Sequence, residues 1–131
     1  MQDNFKILSK IKELERNRSK GLAVLVDPDK NNEHYLKQLC EILPEASPDF
    51  IFVGGSFVDD GATKECVETI QSFCDLPVVL FPGNTNQLTE KADAILFLSL
   101  LSGRNPEFLI EQQVNSAAWL SENDLEVIPT S

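Results

Sequence analysis

Four short stretches set chemistry-bearing residues directly after apolar runs: Asp27-Pro28-Asp29-Lys30, Gly54-Gly55-Ser56, Pro82-Gly83-Asn84 and the loop from Ser102 to Asn105. Asp27 offers a hard anionic oxygen and Ser56 a neutral one, a donor pair that suits magnesium. That ion takes few protein oxygens, keeps several waters and completes its octahedron with substrate phosphates. Gly54 and Gly55 let main chain approach a ligand closely, and a glycine and serine loop can cradle phosphate through main-chain amides. Phe81 and Asn84 pair an apolar ring with an amide, which suits a ligand with a greasy tail and a polar head. Each stretch also has a plainer reading. Asp27 and Asp29 could simply cap a turn, Gly54 to Ser56 could be a tight strand-to-helix connection, and Phe81 to Asn84 a turn. Phe52, Phe57, Phe97 and Phe108 likewise read as packing between helices and sheet.

Other chemistries lack parts. There is no Gly-x-Ser-x-Gly elbow, and the single histidine, His34, leaves a Ser-His-Asp triad without a convincing set of members. The Gly54-Gly55 pair does not complete a dinucleotide-binding fingerprint. Cys40, Cys66 and Cys74 have no Cys-x-x-Cys spacing and read as buried free thiols. His34 reads as a helix-surface residue, with approach to a site as the alternative. Metal-assisted chemistry on a phosphate ester survives this elimination.

The elements that must hold these residues follow one another as strand and helix. Leu22 to Val26 is apolar on both faces and valine-rich, the pattern of a fully buried parallel strand. Pro28 ends it and leaves Asp27 extended at the C-terminal end, where ligands bind in α/β folds. Asp49 to Val53, Pro77 to Phe81, Ala94 to Leu98 and Leu125 to Pro129 read as four further strands. A helix over Asn4 to Glu15 carries the stripe Ile7, Leu8, Ile11 and Leu14 and reads as a lid or packing helix. Asn31 or Asn32 caps the next helix, which carries Tyr35, Leu36, Leu39, Ile42 and Leu43 and is expected to stop at Pro44. Val67, Ile70, Phe73 and Cys74 mark the inner face of another helix, and a short polar helix is expected from Gln87 to Lys91. Asn105-Pro106-Glu107 has the residues of a helix start, with Val114, Ala117 and Ala118 on its inner face. Parallel strands need such crossovers. Four strand–helix units and a fifth strand are about half of a (βα)8 TIM barrel of ~250 residues, with a smaller doubly wound sheet as the alternative. A barrel would gather all four stretches at one rim.

The chain has 131 residues, 42% of them hydrophobic, which fits one soluble globular domain. Acidic residues outnumber basic ones by 21 to 11, and the net charge of −10 argues against nucleic acid as a partner. No segment approaches the ~20 apolar residues of a membrane span, and the N-terminus has no signal-peptide core, so the cytoplasm is the expected location.

The stretches Leu25-Val26-Asp27-Pro28-Asp29-Lys30, Phe52-Val53-Gly54-Gly55-Ser56, Leu80-Phe81-Pro82-Gly83-Asn84 and Leu98-Ser99-Leu100-Leu101-Ser102-Gly103-Arg104-Asn105-Pro106, in this order, resemble the geranylgeranylglyceryl phosphate synthase family and its bacterial heptaprenylglyceryl phosphate synthase relatives. The resemblance runs from about Gly21 to Ser131. It implies a (βα)8 barrel that joins a polyprenyl diphosphate to the primary hydroxyl of sn-glycerol 1-phosphate, an ether-forming step of phospholipid biosynthesis that releases diphosphate. It implies Asp27 and Ser56 as the Mg2+-binding pair, with Gly54, Gly55, Pro82, Gly83, Asn84, Ser102 and Asn105 in the substrate-binding rim. A homo-oligomer with at most transient membrane contact is also implied. Many members of that family carry a lysine two residues before the metal-binding aspartate, where this chain has Leu25. The family's glycerol-phosphate pocket and catalytic base come from later strands, so the resemblance assigns no catalytic residue within 1–131. These residues are therefore expected to be the N-terminal half of one prenyltransferase domain, and inactive alone. Two competing readings are a non-catalytic half-barrel that buries its open edges by self-association and another phosphate-handling barrel enzyme.

Overall fold

In the computed structural model, which describes residues 6–55, 58–83, 85–98, 118–123 and 125–130, five strands form one parallel sheet in chain order. They are β1 (Ala23–Val26), β2 (Phe50–Val53), β3 (Val78–Leu80), β4 (Ala94–Leu98) and β5 (Glu126–Thr130). Helix α1 (Lys6–Arg16) precedes them, α2 (Glu33–Ala46) joins β1 to β2, and α3 (Ala62–Phe73) joins β2 to β3. Sequential all-parallel order is that of the first five strands of a TIM barrel. The register pairs Val26 with Val53 and Val53 with Leu80. The residues that follow, Asp27, Gly54 and Phe81, therefore stand at one level along one rim. Main-chain bonds from Gly54 N to Val26 O (3.1 Å) and from Phe81 N to Val53 O (2.8 Å) carry the ladder to that level.

Alternation along the strands splits the core between the two faces of the sheet. Val24, Val26, Ile51, Val53, Val78, Leu80, Ile95 and Val127 pack with Leu36, Cys40 and Leu43 of α2 and with Cys66, Val67 and Ile70 of α3. The other face, Ala23, Phe50, Phe52, Val79, Ala94, Leu96 and Ile128, packs with Ile7, Leu8, Ile11 and Leu14 of α1. Burying each such Leu or Ile contributes about 1.5–3 kcal/mol. The predicted stripe of α1 is thus its packing face. The helix is not a lid, because it lies at the end of the strands opposite Asp27. There the Glu126 carboxylate, at the start of β5, accepts from Ile7 N (3.0 Å) and Leu8 N (2.9 Å), and Lys10 reaches the main-chain oxygen of Asp49, just before β2, at 3.1 Å. With no acid in its own first turn, α1 takes its N-terminal cap from Glu126.

Several expectations are corrected. Pro44 does not stop α2, because its φ suits a helix and it forfeits a single donor in the last turn. The end comes at Ser47, whose left-handed backbone (φ 48°) returns a bond from its N–H to the Pro44 oxygen. Asn32, not Asn31, is the cap, accepting from Tyr35 N at 2.9 Å. Tyr35 and Ile42 flank the buried stripe and are 50% and 59% exposed. No helix spans Gln87 to Lys91; a 3-10 turn covers Thr85–Gln87 instead, because the Gln87 side chain is drawn inward to main-chain partners. Ala118 is exposed, while Leu120 packs on the core. The predicted helix start at Asn105, with Val114 and Ala117, lies outside the described residues. Cys40 and Cys66 are buried free thiols as expected, Cys74 is half-buried, and His34 is exposed on α2.

Candidate functional site

Asp27 ends β1 in an extended conformation (φ −90°, ψ 116°) and caps the 3-10 turn Pro28–Lys30. Its Oδ1 accepts from Asp29 N at 3.1 Å, its main-chain oxygen accepts from the Asn31 amide at 2.6 Å, and its Oδ2 lies 3.7 Å from Lys30 Nζ. The turn-capping reading is therefore correct as far as it goes, but it occupies only one carboxylate oxygen with a main-chain donor. The other faces a lysine whose side chain is 81% exposed, a partner held weakly against water and salt.

Gly55 explains why this carboxylate is placed where it is. A β-carbon on Gly55 would stand 2.8 Å from Cγ, Oδ1 and Oδ2 of Asp27 alike, so the missing side chain is the space the carboxylate occupies. Gly54 is constrained differently, since a β-carbon there would overlap the Phe81 carbonyl of the neighbouring strand end. On Gly83 it would come within 2.6 Å of the Gly55 oxygen. The loops after β2 and β3 thus meet main chain to main chain beside Asp27.

One residue that the sequence pattern did not single out as part of the rim joins those loops. Gln87 is fully buried. Its Oε1 accepts from Gly55 N and from Gly83 N, each at 3.1 Å, and its Nε2 donates to Gly55 O at 2.6 Å. Its neighbour Asn86 donates to Val58 O (2.6 Å) and to Asp60 Oδ1 (3.2 Å), and Asp29 Oδ1 accepts from Asp59 N (3.1 Å). The signal available in the sequence was the short connection from β3 to β4, which leaves its polar residues little room except against the rim.

Apolar surface continues from this rim down the α1-facing side of the sheet. Leu25 pairs in register with Phe52, and Phe52 stacks on Phe81 with ring centroids 6.2 Å apart and planes 7° apart. Leu25, Phe52 and Phe81 thus form a strip of apolar side chains beside the carboxylate, on the face of the sheet opposite α2 and α3. Behind Asp27, burial pushes the Cys66 thiol up to about 11, and the Asp27 charge adds to the effect. Cys66 is a neutral neighbour there and no nucleophile at neutral pH.

Among the predicted site residues, the structure brings together Asp27, Gly54, Gly55, Pro82 and Gly83. Ser56, Asn84, Ser102 and Asn105 lie outside the described residues. As a metal site, the rim offers one carboxylate, and among the described residues no trio of His, Cys, Asp or Glu is arranged to hold a cation. A single accessible carboxylate beside glycine main chain fits Mg2+, which takes one or two carboxylates and fills its remaining positions with water and substrate phosphate oxygens.

Comparison with known proteins gives a consistent picture. The PcrB family matches residues 13–131. A geranylgeranylglyceryl phosphate synthase from Chitinophaga pinensis is 49% identical over 111 residues, covering 85% of this chain and 44% of the relative. One from Zunongwangia profunda is 48% identical over 125 residues, covering 95% of this chain and 53% of the relative. The chain therefore spans about half the length of the relatives it matches. Among solved structures, (S)-3-O-geranylgeranylglyceryl phosphate synthase from Thermoplasma acidophilum, in complex with its substrate sn-glycerol-1-phosphate, superposes with a TM-score of 0.86 at 35% identity, covering 94% of this chain and 50% of that one.

Proposed function

The chain belongs to the PcrB family, and from that premise we propose that it is the N-terminal half of a Mg2+-dependent prenyltransferase. The reaction joins geranylgeranyl or longer polyprenyl diphosphate to sn-glycerol 1-phosphate to give an ether-lipid precursor. The observation that carries this reading is the Asp27 carboxylate held against Gly55 main chain, with the apolar Leu25–Phe52–Phe81 strip beside it. A prenyl diphosphate has the same two parts, a polyanionic head and an apolar tail.

In the reaction a bond forms between the glycerol hydroxyl oxygen and the prenyl C1, and the bond from C1 to the diphosphate oxygen breaks. Asp27 and Ser56 would hold the Mg2+, which when bound offsets negative charge on the departing diphosphate. Gly55 leaves the room in which the Asp27 carboxylate sits, while the main-chain N–H groups of Gly54 and Gly55 are already taken by Val26 and Gln87. Leu25, Phe52 and Phe81 keep water from the allylic carbon as positive charge develops on it. The hydroxyl proton leaves to a base outside residues 1–131, as does contact with most of the glycerol phosphate. Pro82, Gly83, Asn84, Ser102 and Asn105 shape the mouth.

The same reading makes the protein a cytoplasmic homo-oligomer that touches membrane only transiently, through a substrate and product that partition into lipid. No helix among the described residues is long and apolar enough to cross a membrane. The test is Asp27→Ala in the full natural chain, assayed with geranylgeranyl diphosphate and sn-glycerol 1-phosphate. Ether formation dependent on Mg2+ is expected to be abolished while folding is retained, at a cost of about 1 kcal/mol for the lost turn cap. Undiminished activity would remove Asp27 from the metal site, and a wild-type protein that turns over only other phosphorylated substrates would overturn the prenyltransferase assignment.

A further inference from the structure

Gln87 does for the rim what secondary structure does elsewhere in the sheet. Its amide pairs with both polar groups of one residue, taking the Gly55 N–H at 3.1 Å and giving a bond to the Gly55 oxygen at 2.6 Å. The same Oε1 takes the Gly83 N–H at 3.1 Å. Beyond the last ladder bonds, these three contacts fix where the loops after β2 and β3 stand. The side chain is 0% exposed, so its own polar atoms depend on these three partners, and removing it takes a hydrogen bond from each main-chain group it serves. The two glycines it fixes are themselves closely packed. A Gly83 β-carbon would meet the Gly55 oxygen at 2.6 Å, and a Gly55 β-carbon would meet the Asp27 carboxylate at 2.8 Å. The Asp27 carboxylate fills the space beside the Gly55 main chain, so a displacement of that backbone is felt at Asp27.

We propose that Gln87 is a positioning residue for the cation and diphosphate site: it sets the gap between the Gly55 main chain and the Asp27 carboxylate, and thereby the affinity for the divalent ion. This rests on the reading of Asp27 as a ligand of that ion. Gln87 touches neither ion nor substrate in this role. It acts through Gly55 and Gly83, and its neutral amide does so without adding negative charge beside Asp27.

The test uses the full natural chain and Mn2+ as a paramagnetic stand-in for Mg2+, with free Mn2+ measured by electron paramagnetic resonance in the absence of substrate. Gln87→Met keeps the length of the side chain and removes all three bonds. Gln87→Glu keeps the acceptor for both N–H groups and loses the amide donor to the Gly55 oxygen. In the folded proteins, Gln87→Met is expected to weaken Mn2+ binding roughly tenfold, the scale of one lost hydrogen bond, and Gln87→Glu less, because its added negative charge attracts the ion while the lost donor loosens Gly55. In turnover the concentration of Mg2+ needed for half-maximal rate rises in the same order, while kcat at saturating Mg2+ changes less. A purely structural role would lower the unfolding midpoint and leave the Mn2+ affinity of the folded protein unchanged. Folded variants that bind Mn2+ within twofold of wild type overturn the proposal. Should Gln87→Met not fold, Gln87→Glu decides by the same criterion. If wild type makes the ether and binds Mn2+, a null result in the variants falls on Gln87 alone. If wild type does neither, the functional reading fails and this inference falls with it.

Discussion

The substitution that bears most directly on the site is Gly55→Ala, read against Gly54→Ala in the adjacent position. A β-carbon on Gly55 would lie 2.8 Å from three atoms of the Asp27 carboxylate, whereas non-bonded heavy atoms settle at about 3.5–4.0 Å. The carboxylate must retreat by roughly 0.7 Å or more to reach that range. A side chain can make that movement, at the expense of the Asp29 N–H bond at 3.1 Å, so the stability loss should be about 1 kcal/mol, the lower end for overpacking. In the role proposed for Asp27 the effect is larger, because Mg2+ demands oxygens at about 2.0–2.1 Å in near-ideal octahedral geometry. Gly54→Ala reverses the pattern. Its β-carbon overlaps the Phe81 carbonyl, a main-chain group tied into the ladder, and relieving that contact means parting β2 from β3, at about 3 kcal/mol or more. Urea unfolding and Mg2+ titration of ether formation, in the full natural chain, separate the two effects. For Gly55→Ala we expect a small fall in the unfolding midpoint and at least a tenfold rise in the Mg2+ requirement, equivalent to about 1.4 kcal/mol. Gly54→Ala should show mainly a loss of folded protein. A Gly55→Ala protein with a wild-type Mg2+ titration would refute the argument, as would two variants destabilised equally.

Two further predictions concern stability. Glu126→Gln, which removes the charge at the α1 N-terminus while leaving one oxygen to accept, should cost about 1 kcal/mol, and Glu126→Ala about 2 kcal/mol. A midpoint shift at unchanged urea dependence checks this, and a change of only a few tenths in Glu126→Ala would show that α1 does not depend on this cap. Burial first, and then Cys74, pushes the Cys40 thiol up to about 12, and burial pushes Cys66 up to about 11, from an ordinary 9.0. Above pH 9 the unfolded chain therefore releases thiol protons that the folded chain retains, so stability contributed by the neutral thiols is full below pH 9 and declines as the pH rises toward 11 to 12. Both thiols should resist alkylation at pH 8 in the folded protein and react on denaturation. Rapid labelling of the folded protein would contradict their burial.

The strand half of the fold was legible because the strands are short, mostly apolar runs, the first three closed by Pro or Gly, and five of five runs became strands within a residue or two of their expected bounds. Parallel order followed from the helical patterns between them. The PcrB family match and the similar synthases bear out the resemblance read from the four strand-end stretches. Where the reading missed, long-range geometry decided. Pro44 is a strong local stop signal, yet the stop is set at Ser47. Gln87 sits in a polar run that favours a helix, but its amide finds three main-chain partners across two loops, and those contacts outweigh a local propensity of a few tenths of a kcal/mol. Glu126 looks like a surface residue of a strand, and nothing near it in sequence shows that α1, 118 residues away along the chain, needs an acceptor.

The two ends of the sheet solve the same problem with different chemistry, and the difference bears on function. At the strand starts, orphan N–H groups are met by carboxylates: Asp49 takes Leu22 N at 2.8 Å, Asp93 takes Val78 N at 2.8 Å, and Glu126 takes the first turn of α1. Charged acceptors make the stronger bonds, and nothing at that end requires them to be neutral. At the strand ends Asp27 and Asp29 also take main-chain N–H groups, but the contacts that join Gly55 to Gly83 are made by the amide of Gln87, which stabilises less per bond and adds no charge. Were a carboxylate to take the place of that amide, it would lie behind Gly55 and repel both the second charge of a bound diphosphate and the ionised form of Asp27. The chain carries a net charge of −10, and Asp29, Asp59 and Asp60 already stand on the loops around the rim. A diphosphate approaching such a surface is repelled unless a divalent cation comes with it. The proposed function accounts for this charge: a divalent cation arriving with the diphosphate would offset carboxylates that Lys30, 3.7 Å from Asp27, offsets only weakly.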